Sequence, residues 1–302
     1  MRRGRPAAIA AAFAIAAAAA VTAGCGGGSS NAVSLDPVAA AATKTQQAGA
    51  ARIRFSLAFN SPQLAGGKML QLRGTGAIDG TSAEATFRLG SIFRQTGLPA
   101  GVSPDATMAQ LMHASMKEIS LQQNGDYVVY LGLGVLASHL PGGKHWIELD
   151  LSKLGKAAGI DLGKLLSGSQ FQPGDLLGML KAEGAKISKL GSATVDGAAT
   201  THYRVTIDMA KALQAKGLTS PLLAGLAAQM PKVPEDVWIG NDGLVHRIRL
   251  SLGIPQSGTT VRIAMTMDLY DYGAHVTIAA PPSSDVYDAT QLAQQHIGNA
   301  FG

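Results

Sequence analysis

The chain has 302 residues, 46% of them hydrophobic and 15% charged, with a single cysteine. That is ample apolar material for a sizeable interior, while one thiol excludes an internal disulfide framework. The formal net charge is +5 with a pI near 9.3, yet the lysines and arginines are scattered, with no basic stripe and no interleaved aromatics, so the electrostatic footprint of nucleic-acid binding is absent.

The chain opens on a basic stretch, Met1-Arg2-Arg3-Gly4-Arg5-Pro6, and continues as an uninterrupted apolar run from Ala7 to Val21. The small residues Thr22-Ala23-Gly24 then precede Cys25. A charged start, roughly 7–15 apolar residues and small residues before a cut describe a secretory signal. The run is too short and too rich in alanine for a span, which takes about 20 apolar residues to cross about 30 Å of hydrocarbon. Val21-Thr22-Ala23-Gly24-Cys25 resembles the lipobox of bacterial lipoproteins, with Thr22 where those proteins usually carry an aliphatic residue. The resemblance implies cleavage after Gly24 and lipid modification of Cys25, which would account for a cysteine that has no disulfide partner. Arg2-Arg3 lacks the surroundings of a twin-arginine signal, so the general secretory route is expected. Residues 1–24 are therefore expected to be a signal peptide. Residues 25–32 would hold the lipidated Cys25 and a flexible tether, Gly26-Gly27-Gly28-Ser29-Ser30-Asn31. Residues 33–302 would form a single domain. With Arg2, Arg3 and Arg5 lost in the leader, the net charge falls from +5 to +2, so the basic character belongs largely to the export signal.

Val33 to Gln47 reads as a polar, alanine-rich helix. Arg52 to Phe59 then alternates strictly, placing Ile53, Phe55, Leu57 and Phe59 on one face, the period of a half-buried strand. Glu84 to Leu89 repeats the pattern with Ala85, Phe87 and Leu89. Ile119 to Gln123 and Tyr127 to Leu131 flank Asn124-Gly125-Asp126 as a hairpin, and Lys144 to Leu151 adds a strand. Further on, Thr201 to Asp208 alternates Tyr203, Val205 and Ile207 against polar neighbours. Val237 to Ile239 leads through the turn Gly240-Asn241-Asp242-Gly243 into Val245 to Leu252, where His246, Ile248, Leu250 and Leu252 oppose Arg247, Arg249 and Ser251. Val261 to Tyr270 puts Ile263, Met265, Met267 and Leu269 on one side. So many alternating strands joined by short turns predict a meandering antiparallel sheet with one covered face.

Helices are predicted over Leu151 to Ser167, Gly174 to Glu183, Ala210 to Lys216 and Pro221 to Met230. Pro173 and Pro221 stand where helix starts tolerate proline. Leu176, Leu177 and Leu180 recur at helical spacing, as do Leu222, Leu223 and Leu226. These stripes either fill a solid core against the sheet or, together with it, enclose an apolar cavity.

The carboxyl-terminal third carries a series of short motifs. They are Gly191 through Asp196-Gly197, Thr201-His202-Tyr203-Arg204-Val205, Val237-Trp238-Ile239, and Asp242-Gly243-Leu244-Val245-His246-Arg247. Tyr270-Asp271-Tyr272-Gly273, Val276-Thr277-Ile278 and Ala280-Pro281-Pro282 follow. In that order they resemble the mycobacterial LppX/LprG lipoproteins, which share the LolA-like fold; the match runs over roughly residues 185–285 and is architectural before that. The resemblance implies an α+β chain, a curved antiparallel sheet or half-barrel whose concave face is covered by helices. It also implies that the enclosed cavity holds acyl chains of a lipid or lipoglycan during transfer across the envelope. The cavity candidates are Phe55, Leu57, Phe59, Phe87, Leu89, Val205, Ile207, Leu250, Met265 and Met267 on strands. Leu176, Leu177, Leu180, Leu222, Leu223 and Leu226 are the candidates on helices.

Catalytic motifs are missing from the sequence. The seven histidines, His113, His139, His145, His202, His246, His275 and His296, make no H-E-x-x-H or similar ligand spacing, so no metal and no cofactor is expected. There is no G-x-S-x-G elbow and no phosphate-cradling loop. Asp236 with Asp242, or Asp268 with Asp271, could be imagined as paired carboxylates, but Asp242-Gly243 reads as turn chemistry. The expectation is a non-enzymatic lipid carrier on the outer side of the cell membrane, anchored through Cys25, with a membrane transporter or other envelope protein as a further partner. The alternatives are an envelope sensor of the same fold, which binds a lipid or lipoprotein and signals to a membrane partner, and an enzyme without a recognisable motif.

Overall fold

The computed structural model describes residues 37–61, 64–80, 82–96, 113–157, 186–215, 221–229, 232–256 and 259–301. Among them, twelve strands form one sheet. They are β1 (Ala51–Ser61), β2 (Leu64–Asp79), β3 (Ser82–Arg88), β4 (Ser115–Gln123), β5 (Asp126–Gly132), β6 (Trp146–Asp150), β7 (Lys186–Val195), β8 (Ala198–Asp208), β9 (Lys232–Gly240), β10 (Val245–Gln256), β11 (Thr259–Tyr270) and β12 (Val286–Asp288). The helices are α1 (Pro37–Gln47), α2 (Gly90–Thr96), α3 (Leu151–Ala157), α4 (Met209–Ala215), α5 (Pro221–Gln229) and α6 (Thr290–Phe301).

The sheet order is β12-β6-β5-β4-β3-β2-β1-β11-β10-β9-β8-β7. Two meanders meet at its centre: β1 to β6 step outward one way, β7 to β11 step inward from the far edge, and β1 pairs with β11. Every pairing is antiparallel except that of β12, which returns to lie parallel to β6. The sheet is thus mixed, and it stays open because β7 and β12 are free edges.

Register follows from alternation. Phe55 of β1 stands opposite Met267 of β11, Met267 opposite Ile248 of β10, and Ile248 opposite Val237 of β9. These side chains share one face with Ile53, Val205, Ile207, Ile239 and Leu269, all buried in one cluster. A one-residue slip would turn the whole set toward solvent, so a buried face pins the register strongly. Helices cover this face: α1 contributes Val38, Ala41 and Ala42, α4 contributes Met209, Ala212 and Leu213, and α5 contributes Ala227. Leu151 at the start of α3 packs against Tyr127 and Val129, which by pairing lie on the same face. Full burial of a valine, leucine or isoleucine contributes about 1.5–3 kcal/mol, so this face carries most of the stability.

Helix α1 is held by more than apolar contact. The Val245 amide donates to Thr45 Oγ1 at 3.0 Å, and Lys44 Nζ donates to the Asp242 carbonyl at 2.5 Å. The Tyr272 hydroxyl donates to the Val245 carbonyl from the other side. At the β4–β6 end the outer face is covered too, where Ile119, Leu121, Val128 and Tyr130 pack with Trp146, Ile278 and Val286.

Some elements differ from the sequence expectation. The strand expected to reach Leu151 ends at Asp150, and Leu151 opens α3. Leu89 lies one residue past β3 rather than within it. In β10 the register shifts between Val245 and Arg247, so His246 is the extra residue of a bulge and Val245 takes the core position. Strands β2, β7 and β12 and helices α2 and α6 were not anticipated as elements.

Candidate functional site

The covered face is unevenly filled. Near α1 the side chains of Ile53, Leu269, Ile248, Val245, Val237 and Ile239 are buried. Farther along the same strands, Leu57, Phe59, Leu250, Leu252, Ile263 and Met265 are only half-buried. Pairing joins them into two continuous rows, Leu57–Met265–Leu250 and Phe59–Ile263–Leu252. Strand β2 lengthens these rows with Leu72 opposite Leu57 and Leu70 opposite Phe59. Next to them Gly74 lies between Phe55 and Phe87, whose rings meet edge-on across it with centroids 4.9 Å apart. A Cβ on Gly74 would fall 2.2 Å from Phe55 Cζ, so only glycine lets the two rings converge. The result is a broad apolar surface of leucine and isoleucine side chains with Met265, Met267, Phe55, Phe59 and Phe87 among them, of the kind that lines sites for apolar ligands.

One acid interrupts it. Glu235 of β9 lies between Val205 of β8 and Leu250 of β10 and is 1% exposed. Among the described residues its Oε1 has no hydrogen-bond partner, and burial, with the charge of Asp236 adding to it, pushes the carboxyl up to about 8. Toward the other end of the same face, burial also raises Glu118, but there the Ser120 hydroxyl donates to Glu118 Oε1 at 3.2 Å.

Around β1 and β8–β11 the opposite face is polar, and several of its charges are paired. Arg247 makes two hydrogen bonds to Asp268, at 2.5 and 3.0 Å, and its guanidinium lies over the Trp238 ring. His202 stacks on the same indole at 4.1 Å, nearly parallel. Arg204 bonds Asp236 through two nitrogens, at 2.8 and 3.1 Å. Burial alone would raise Asp236, but Arg204 and His202 outweigh it and hold the carboxyl below its usual range. Arg54 Nη2 reaches Asp196 at 2.5 Å, tying the β7–β8 turn to β1 although three strands separate β8 from β1 in the sheet. Two hollows open on this side. One, of about 440 Å³, is lined by Arg52, Thr75, Glu84, Thr86, Tyr270 and His275; the other, of about 310 Å³, by Arg204, Asp236, Arg249 and Ser251.

The residues proposed from the sequence fall out as follows. Phe55, Phe87, Val205, Ile207, Leu250 and Met267 belong to the main apolar cluster, with Leu57, Phe59 and Met265 on the same face beside it. Val205 and Ile207 are fully buried, so they are part of the packed interior. Leu89 is half-buried next to the cluster's edge strand. Leu222, Leu223 and Leu226 fall on α5, but their side chains lie outside the described set, as do Cys25, Leu176, Leu177 and Leu180 altogether. Sequence reasoning missed Leu70, Leu72 and Glu235. The first two belong to a strand whose glycines mask its alternation. Glu235 is betrayed only by parity, as the acid in line with Val233 and Val237.

The carboxylates imagined as pairs are each engaged elsewhere. Asp268 pairs with Arg247 and Asp236 with Arg204, while Asp242 caps its own turn by accepting from the Leu244 amide at 3.0 Å and from His246. Among the described residues no group of three or more histidine, cysteine, aspartate or glutamate side chains could hold a metal ion. No described helix is long and apolar enough to cross a membrane.

Comparison with solved structures finds the Mycobacterium tuberculosis lipoprotein LppX, aligned over 81% of this chain and 100% of that one, with 13% identity and a TM-score of 0.40. It also finds LprF from Mycobacterium bovis, over 82% of this chain and 96% of that one, with 14% identity and a TM-score of 0.37. The chain is similar to LppX- and LprF-type lipoproteins. These are of the type that the carboxyl-terminal motifs resemble. In sequence, an uncharacterized 31.2 kDa protein of Streptomyces griseus, encoded between rplA and rplJ, is 28% identical over 245 residues, covering 73% of this chain and 77% of that protein. No family model matches the chain.

Proposed function

We propose that this protein is an exported, lipid-anchored carrier that holds acyl chains of an envelope lipid or lipoglycan against the apolar face of its sheet. The observation that carries the reading is the pair of half-buried rows, Leu57–Met265–Leu250 and Phe59–Ile263–Leu252, on the face where the helices sit. A two-layer core needs no such surplus. Sheltering a chain there removes roughly 25 cal/mol of unfavourable free energy per Å² of apolar surface, or about 0.8 kcal/mol per CH₂. The segment bearing Leu176, Leu177 and Leu180 and the helix bearing Leu222, Leu223 and Leu226 would form the cover. The leader and Cys25 would place the protein outside the cytoplasm on the membrane, where it would hand lipid to a transporter or another envelope protein. Nothing in the reading requires a cofactor or a chemical step.

Native mass spectrometry of the full chain extracted from its host membrane tests this. The expected spectrum shows adducts of lipid mass that are retained after the detergent is stripped. Met265→Trp, which fills the space beside Leu57 and Leu250, should lose the adducts while the melting temperature changes little. A parent protein that is bare and extracts no lipid from vesicles overturns the reading.

A further inference from the structure

Glu235 is hard to explain as packing. Buried polar groups in native proteins are almost always hydrogen-bonded, and each exception calls for a reason. Here a 1% exposed carboxyl sits between Val205 and Leu250, with Oε1 unpartnered, on the face proposed to hold acyl chains. Leucine would fill the place without that cost. An acid retained at the edge of an apolar row offers what the row lacks, one directional polar contact.

We propose that Glu235 is the polar anchor of this face, its carboxyl donating a hydrogen bond to the ester carbonyl of a lipid whose acyl chain lies along the Leu57–Met265–Leu250 row. The proposal rests on the carrier reading above. Leu250 is the cross-strand neighbour of both Met265 and Glu235, so the acid stands at the end of the row, where a chain would meet its head. The carboxyl can donate because burial keeps it protonated up to about 8. The groups around it do not compete for that proton. On the same face the described strand positions of β10 and β11 carry no ionisable side chain, and α5 has none. Strand β8 brings Tyr203, and β7 brings Lys189, which pairs with Tyr203 and is exposed at the sheet edge. Helix α4 presents Met209, Ala212 and Leu213 and keeps Lys211 in solvent. Asp236 acts from the opposite face, where Arg204 holds it.

The test is competitive loading of the full chain, in detergent, with methyl oleate and 1-octadecene at equal concentration, read as the ratio of the two adducts by native mass spectrometry. At pH 6 the wild-type chain should favour the ester by about three- to tenfold, the worth of one neutral hydrogen bond. At pH 9 the preference should vanish. Glu235→Gln, whose amide still donates, should keep the preference at both pH values, and Glu235→Leu should bind both ligands without preference. Equal binding of the two ligands by the wild-type chain at pH 6, or an undiminished ester preference in Glu235→Leu, overturns the anchor while leaving the carrier reading standing. If neither ligand binds any of the three proteins, both fall together.

Discussion

Glu235 also decides how the protein responds to pH before any lipid is considered. Its carboxyl is raised from 4.5 to about 8 by burial, so the native chain keeps a proton that the unfolded chain releases. The sign follows: stability associated with this group is fully present below about pH 4.5 and declines as pH rises, until the native group ionises near 8. Across that window the slope is that of one proton, roughly one to one and a half kcal/mol per pH unit. Asp236 and Asp242 act in the opposite sense. Their partners hold both below the usual value of 3.8, so the stability they add is lost only as pH falls below that range. Burial raises Glu118 and Glu148 as well, so the part that belongs to Glu235 is the difference between the wild-type chain and Glu235→Gln in urea unfolding between pH 5 and 8. The wild-type chain should lose stability steadily across this range, and Glu235→Gln should lose markedly less. Parallel curves for the two proteins would mean that the carboxyl is already ionised and solvated.

Among the elements, β2 shows most directly what sequence pattern reveals and what it hides. Strands whose apolar positions are filled by large side chains, β1, β8, β10 and β11, announce themselves by alternation, and the β4–β5 turn by Asn124 and Gly125, which do adopt positive φ of 53° and 88°. The apolar half of the candidate site was legible for that reason. Strand β2 alternates too, but as Leu70, Leu72, Gly74, Gly76 and Ile78, and two glycines at inward positions erase the signal. Their use is visible only in three dimensions, where the space above Gly74 belongs to Phe55 and Phe87. Strand β9 was read only from Val237 because Pro234 and Glu235 precede it; the proline is tolerated where pairing with β10 has already ended at Glu235. Edge strand β7 is mostly exposed, with a register shift between Lys189 and Gly191, so it lacks a hydrophobic face to betray it. Those features, lysines and a bulge, also discourage pairing with another chain. Gly74→Ala should be costly, since its Cβ would stand 2.4 Å from the Thr86 carbonyl oxygen as well as against Phe55. A loss of about 1–3 kcal/mol is expected from such overpacking, measured by thermal or urea unfolding. An alanine variant as stable as the parent would show that β2 is not held between the two rings.

For the molecule as a whole, the apolar face and the amino terminus impose complementary requirements. A chain that shelters acyl groups must collect them at a bilayer, because such lipids have negligible concentration in water. Diffusion from solution would find that surface rarely; the covalent anchor proposed at Cys25 would keep the body beside it. About a dozen residues separate Cys25 from Pro37, a reach of at most roughly 40 Å when extended. The body they lead to begins at once, since Val38 in the first turn of α1 is already fully buried. In the proposed carrier, anchoring and binding are therefore separable. Cys25→Ser should abolish incorporation of labelled fatty acid and leave the protein either secreted or held by an uncleaved leader, which its mass distinguishes. A single acyl chain gives only marginal, reversible membrane binding, so the di- or triacyl modification of a lipoprotein cysteine is what retention demands. The released Cys25→Ser protein should still carry a lipid adduct by native mass spectrometry, because the rows of β1, β10 and β11 are untouched. It should also deliver that lipid to acceptor vesicles far more slowly than the anchored form delivers it within its own membrane. A mature protein that begins elsewhere than Cys25 and stays in the membrane fraction after the substitution would remove the anchor from this account. Loss of the adduct on release would instead mean that the apolar face is loaded only in contact with the bilayer.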